Sequence, residues 1–213
     1  PVRDYHFIYV PYCSGDAHAG TTMSGTGGRV QRGYSNMTEF LKRVVPTFQD
    51  RVSEVLLAGR SAGGLGTMIN YPQVQESFGC TPVNLLNDSG PVMGDDYMRS
   101  CIQERVRAVW NVNDAIPADC PHCTCDDGGG LINVFSYFTA RYPNRRVALI
   151  ASMADATFRS FFGYGYSPSC DFPVNMPASE YRAGLDELRE LTAGHENFGS
   201  FYLEGDQHTF IGG

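Results

Sequence analysis

At 213 residues, with 42% hydrophobic and 18% charged content, the chain has room for one domain with a real core and is not composed like a disordered segment. The formal charge of -7 argues against a polyanionic partner, because the basic residues, all Arg except Lys42, are scattered rather than clustered. Apolar runs such as residues 147–151 (VALIA) stop far short of the roughly 20 residues of a membrane span. Neither a nucleic-acid partner nor a membrane span is expected.

Along the chain, residues 5–10 (YHFIYV) have strand character and lead into a Gly/Ser/Thr-rich loop over residues 14–33. A helix is predicted over residues 37–48, with Ser35 or Asn36 as its cap. Residues 53–58 (SEVLLA) read as a buried strand, and residues 62–71 as a helix stopped by Pro72. Further strands are predicted at 82–87, 146–152 and 199–204, and further helices at 95–112, 131–142 and 178–192. The strands are short, mostly apolar and separated by helices, with no tight hairpin signal between them. That alternation specifies an α/β fold, a parallel sheet with helices on both faces. Without repeats or low-complexity linkers, residues 1–213 read as a single domain.

Seven cysteines stand at positions 13, 80, 101, 120, 123, 125 and 170. The CPHCTC run at residues 120–125 resembles a zinc corner, but no second C-x-x-C or paired His completes a tetrahedral site. Disulfides in an extracytoplasmic compartment are the expectation, with one cysteine free or paired outside the chain, and no metal. The start at Pro1, directly before an apparent strand and with no Met or signal peptide, reads as a processed or truncated terminus.

The sharpest feature is Gly59-Arg60-Ser61-Ala62-Gly63-Gly64. G-x-S-x-G is weak alone in a glycine-rich chain, but a strand leads in and a helix leads out, the context of a nucleophile elbow. Such a turn exposes the Ser61 hydroxyl and sets the Ala62 N–H at a helix N-terminus, where an oxyanion would develop. Small neighbours at Gly59 and Gly63 are expected to relieve clashes. A serine needs a base and the base an orienting acid, and in this arrangement the chain order is Ser, acid, His, each just past a strand end. Asp155 follows the strand ending at residue 152, and His208 follows the last strand. Asp88, after the strand at 82–87, is the rival acid; Asp206 lies too close to His208 along a short loop. His6, His18, His122 and His195 fit packing or surface roles better.

These pieces together resemble the pectin acetylesterase/Notum family of serine carboxylester hydrolases. The resemblance rests on residues 9–16 (YVPYCSGD), Gly33 with Glu39-Phe40-Leu41, the elbow, Asp88-Ser89-Gly90, and the spacing of Asp155 and His208. It implies an α/β-hydrolase sheet, a triad on Ser61, Asp155 and His208, and hydrolysis of an ester without cofactor. The substrate would be an acetylated pectic polysaccharide or, in the Notum branch, a fatty-acylated protein. A Gly-Gly-Trp-type oxyanion segment that the family carries upstream has no match in residues 1–5. The chain therefore looks as if it lacks the first strands of the hydrolase sheet, and an upstream segment of the same precursor is the expected partner. Expected substrate contacts are Tyr12, Asp16, Phe158 and Phe162, with Phe161 and Tyr164 beside them. A short acyl group is favoured because no extended apolar lid is evident. The alternatives are a silent relative that binds glycan or protein, a lipid deacylase, and an acyltransferase.

Overall fold

Four parallel strands carry the architecture: β1 (Val55–Arg60), β2 (Val83–Asp88), β3 (Val147–Ser152) and β4 (Phe198–Leu203), hydrogen-bonded in the order β1-β2-β3-β4. They are seen in a computed structural model that describes residues 2–23, 28, 30–126 and 128–211. Helix α1 (Gly33–Phe48) precedes β1, and α2 (Ala62–Phe78) crosses from β1 to β2. Helices α3 (Ser100–Trp110) and α4 (Asn133–Arg141) lie between β2 and β3, and α5 (Ala156–Phe162) and α6 (Ala178–Thr192) between β3 and β4. Because every pairing is parallel, the carboxyl ends of all four strands gather on one edge of the sheet.

The α/β reading holds, with one difference in how the sheet is covered. Val83, Leu85, Val147 and Leu149 share one face and are at most 2% exposed. Helix α2 packs on β1 and β2 there, with α1 and α4 against it. On the opposite face the register aligns Leu86 with Ala148 and Ile150 with Phe201; Leu56 and Phe201 are 37% and 63% exposed. The cover expected on both faces is thus seen on one among the described residues.

Residues 5–10 form no strand. A strand exists only through its ladder, and this segment instead leans on side chains. The Tyr5 hydroxyl donates to Glu54, and the His6 ring meets Phe48 at 5.5 Å. Helix α2 runs through Pro72 to Phe78 rather than stopping. A mid-helix proline costs about 3 kcal/mol through its lost N–H and ring clash, but Tyr71, Val74 and Phe78 are buried beside it. Burying three large side chains outweighs that cost. Gly79, at φ +60°, ends the helix.

Helix α1 begins at Gly33, four residues earlier than expected, and neither Ser35 nor Asn36 caps it. The cap comes from a distant residue. Asp16 is fully buried, and its carboxylate accepts from the N–H groups of His18 (3.1 Å), Gly20 (3.1 Å) and Gly33 (2.7 Å) and from the Ser14 hydroxyl (2.6 Å). Its charge thereby faces the positive end of α1. A Cβ at Gly20 or Gly33 would overlap this carboxylate, so both positions are closed to larger residues. Of the loop expected at 14–33, residues 24–27 and 29 lie outside the described residues.

Two disulfides form, Cys101–Cys170 and Cys120–Cys123, and Cys13, Cys80 and Cys125 are free among the described residues. The expected single odd cysteine is therefore three. The second bridge consumes two sulfurs of the CPHCTC run. Buried Arg107 organises the segment around it, donating to the carbonyls of Cys123, Gly128 and Gly129.

Asp16→Ala should lower unfolding free energy by about 3 kcal/mol or more, since hydrogen bonds to a charged acceptor are each worth about 1.5–3 kcal/mol and three amides would be stranded. Urea denaturation followed by circular dichroism measures this.

Candidate active site

The turn after β1 is built for close approach. Ser61 sits at φ 56°, ψ -121°, a conformation that a residue with a Cβ adopts only when its surroundings impose it. Two contacts impose it here: the Ser61 N–H donates to the Asp88 carbonyl (2.8 Å), and the Ser61 carbonyl accepts from Leu65 N–H (3.1 Å). A Cβ at Gly59 would collide with the Gly63 carbonyl, and one at Gly64 with the Asn87 side chain and the Asp88 carbonyl. A methyl group at Gly63 would meet nothing within 4 Å, so the expected crowding falls on Gly59 and Gly64 instead. Ala62 is the first residue of α2, and its N–H lies among those no intrahelical carbonyl can reach.

Asp155 is the N-cap of α5. One carboxylate oxygen accepts from the N–H groups of Thr157 (2.9 Å) and Phe158 (3.0 Å), and the other meets His208 Nδ1 at 2.7 Å. Asp155 is fully buried, while the His208 side chain is 21% exposed. The remaining ring nitrogen, His208 Nε2, lies 2.7 Å from Ser61 Oγ. Three side chains from three strand ends thus join in one hydrogen-bonded line. The order suits a proton relay: the buried carboxylate holds Nδ1–H, which leaves Nε2 free to accept from the hydroxyl.

Asp88, the rival acid, does not touch the imidazole; its carboxylate accepts from the N–H groups of Phe210 and Ile211. Asp206 is exposed, and its carbonyl accepts from Ala156 N–H. Among the other histidines, His18 stacks on Tyr12 at 4.8 Å, and burial pulls its imidazole below the usual range against the opposing influence of Asp16.

The expected substrate contacts separate into two groups. Tyr12 is 45% exposed, with its hydroxyl accepting from Ala17 N–H, and Phe161 is 60% exposed. Asp16 is buried in the loop before α1, where its oxygens are spent on backbone amides, so it faces no substrate. Phe158 and Phe162 are also inside, at 4% and 3% exposed; Phe158 packs on the His208 ring (5.7 Å) and Phe162 on Tyr181 (6.1 Å). Sequence reasoning missed that Phe158, backed by Phe162 at 5.4 Å, packs on the histidine. Their i, i+4 spacing on the helix capped by Asp155 was the available signal.

A family model for pectinacetylesterases matches residues 4–138. The chain belongs to the pectinacetylesterase family. Among curated proteins, it is 36% identical over 67 residues to the palmitoleoyl-protein carboxylesterase notum2 of Xenopus laevis, a match covering 32% of this chain and 14% of that protein. It is 32% identical over 78 residues to the palmitoleoyl-protein carboxylesterase NOTUM of Schmidtea mediterranea, covering 34% of this chain and 14% of that protein. The structure of the Wnt deacylase Notum from Drosophila superposes with a TM-score of 0.61 at 20% identity, covering 95% of this chain and 59% of that one. That likeness shows a shared fold. The chain spans less than two thirds of the length of each of these relatives.

The glycine geometry separates two neighbouring substitutions. Gly59→Ala should destabilise the fold by about 1–3 kcal/mol, the range for forced overpacking, whereas Gly63→Ala should be neutral or slightly stabilising because Ala is the better helix former. Paired thermal melts of the two variants make the comparison.

Proposed function

We propose that the protein is a serine esterase that hydrolyses carboxylic esters through an acyl-enzyme on Ser61. The observation that carries this reading is the His208 imidazole, whose two nitrogens each lie 2.7 Å from a partner, Ser61 Oγ and Asp155 Oδ2. His208 Nε2 removes the hydroxyl proton as Ser61 Oγ bonds to the ester carbonyl carbon. The tetrahedral oxyanion is stabilised by the Ala62 N–H at the start of α2. Collapse breaks the bond to the leaving alcohol, which takes the proton from Nε2. Water then attacks the acyl-enzyme, giving its proton to His208, and the carboxylic acid leaves as Ser61 recovers its proton. Asp155 keeps Nδ1 protonated and stabilises the imidazolium in both halves of the cycle.

The substrate proposed is an acetylated polysaccharide of the pectic type, met outside the cytoplasm. Family membership supports the acetyl ester, and two disulfides support the oxidising compartment. A short acyl group is further supported by Phe158 and Phe162, which are committed to the interior rather than to a channel for a long chain. The palmitoleoyl-protein carboxylesterase activity named for the two curated relatives favours a second reading, a deacylase acting on a fatty-acylated protein.

Ser61→Ala should abolish both p-nitrophenyl acetate turnover and labelling by a fluorophosphonate, and retained labelling would reject the nucleophile. Asp155→Asn should lower kcat by about 10⁴-fold, as loss of the orienting acid does in serine hydrolases. Turnover of acetyl over octanoyl p-nitrophenyl esters decides between the two substrate readings.

A further inference from the structure

The triad residues arrive on three separate loops, so something must hold those loops in mutual register. The end of β2 and the turn after it reach two of those loops and the strand that leads into the third. The Asp88 carbonyl accepts from Ser61 N–H (2.8 Å), tying the turn to the nucleophile. Ser89 N–H donates to the Ile150 carbonyl (2.7 Å), tying it to β3, from whose end Asp155 emerges. Toward the histidine loop, Asp88 Oδ2 accepts from Phe210 N–H (2.7 Å) and Ile211 N–H (2.6 Å), and Ser89 Oγ accepts from Thr209 N–H (3.2 Å). The Ser89 hydroxyl in turn donates to Asp88 Oδ1 (2.9 Å). Asp88 and Ser89 are both fully buried, and Ser89 is held at φ 56°.

The other flank of His208 is held separately. The Gln207 carbonyl accepts from the Ser152 hydroxyl (2.5 Å), and the carbonyls of Gly205 and Asp206 accept from Ala154 and Ala156 N–H at 2.9 and 3.1 Å. His208 is therefore the residue between two clamps. The upstream clamp fixes it to the Asp155 loop, and the Asp88-Ser89 clamp fixes it to the elbow. Three consecutive amides, 209 to 211, converge on one buried carboxylate and its neighbouring hydroxyl. Charge-assisted bonds of this kind are short and strongly directional.

We propose that Asp88 is a positioning residue for the site: its carboxylate, seconded by Ser89, sets the distance from the His208 imidazole to Ser61. It acts through the backbone of the histidine loop and touches no reacting atom. The inference rests on the esterase reading of Ser61, Asp155 and His208, and concerns a residue outside that set. Asparagine can substitute in part, since an amide oxygen still accepts from Phe210 and Ile211 N–H while its NH₂ faces the Ser89 hydroxyl. Alanine leaves the loop amides without an acceptor.

The test measures p-nitrophenyl acetate kinetics for Asp88→Ala, Asp88→Asn and Ser89→Ala beside the parent and Ser61→Ala. A displacement of about 1 Å at a catalytic group costs about 100-fold, so Asp88→Ala should lose about 100-fold in kcat with KM little changed. Asp88→Asn should recover most of that loss, and Ser89→Ala should fall between. The far-downfield proton NMR resonance of His208 Nδ1–H against Asp155 should weaken or vanish in Asp88→Ala and return in Asp88→Asn. That signal needs no substrate, so it tests the positioning role even if the parent proves inert to esters, an outcome that would defeat the esterase reading alone. Should Asp88→Ala misfold, Ser89→Ala carries the same two readouts. Parent-like kcat and an unchanged resonance in Asp88→Ala, or in Ser89→Ala where that variant stands in, would overturn the proposal.

Discussion

An imidazole has two nitrogens, and in this protein both are committed at 2.7 Å, one to a buried carboxylate and one to a hydroxyl. That bridge tolerates errors of only a few tenths of an ångström, because hydrogen bonds weaken steeply with distance and misalignment. It must nevertheless be assembled from residues 147 and 53 positions apart. The parallel sheet makes this possible. With all four strands in register, β1, β3 and β4 deliver their following loops to one edge, and the remaining strand, β2, ends between them. Asp155 then solves its own placement problem. By capping α5 with one oxygen it fixes the direction of the other, so the same helix start that needs an anion orients the acid.

The Ser61 backbone is costly to hold, on the order of 1–3 kcal/mol for a non-glycine residue in such a region. The surroundings offset that cost by packing backbone directly on backbone. Gly59 faces the Gly63 carbonyl, and Gly64 and Gly90 bring the first turn of α2 against the turn after β2. Asn87 closes that turn, with its amide bonding both N–H and carbonyl of Gly90 at 2.8 Å. The strained Ser61 backbone and the histidine loop therefore share one support. The same closure buries the Asn87 amide.

Much of this was legible in the sequence, and the exceptions have a common cause. The four paired strands, α6 and the order Ser61, Asp155, His208 followed from periodicity and from chain order around an elbow, both local signals. Residues 5–10 have the composition of a strand, but strand formation depends on a partner, which composition does not reveal. Pro72 is a strong local stop overridden by burial of Tyr71, Val74 and Phe78, a tertiary effect. Capping of α1 by Asp16 spans 17 residues, beyond the reach of any N-cap pattern. The exposed face at Leu56 and Phe201 is apolar, as in strands covered on both sides, so the pattern that correctly identified a parallel sheet also led to the expectation of a second helical layer.

The aromatic residues near Asp155 brace the histidine. Phe158 and Phe162 face inward on α5, and Phe158 lies against the His208 ring. Packing beneath an imidazole restricts rotation about its side-chain bonds and keeps water from the Asp155 carboxylate, which strengthens that hydrogen bond. Toward solvent near α5 stand Phe161 at 60% exposed and the half-buried Tyr164 that follows it. One helix thus divides by face: the inner face and the capped end hold the His208 imidazole and the Asp155 carboxylate together, and the outer face stays open to solvent.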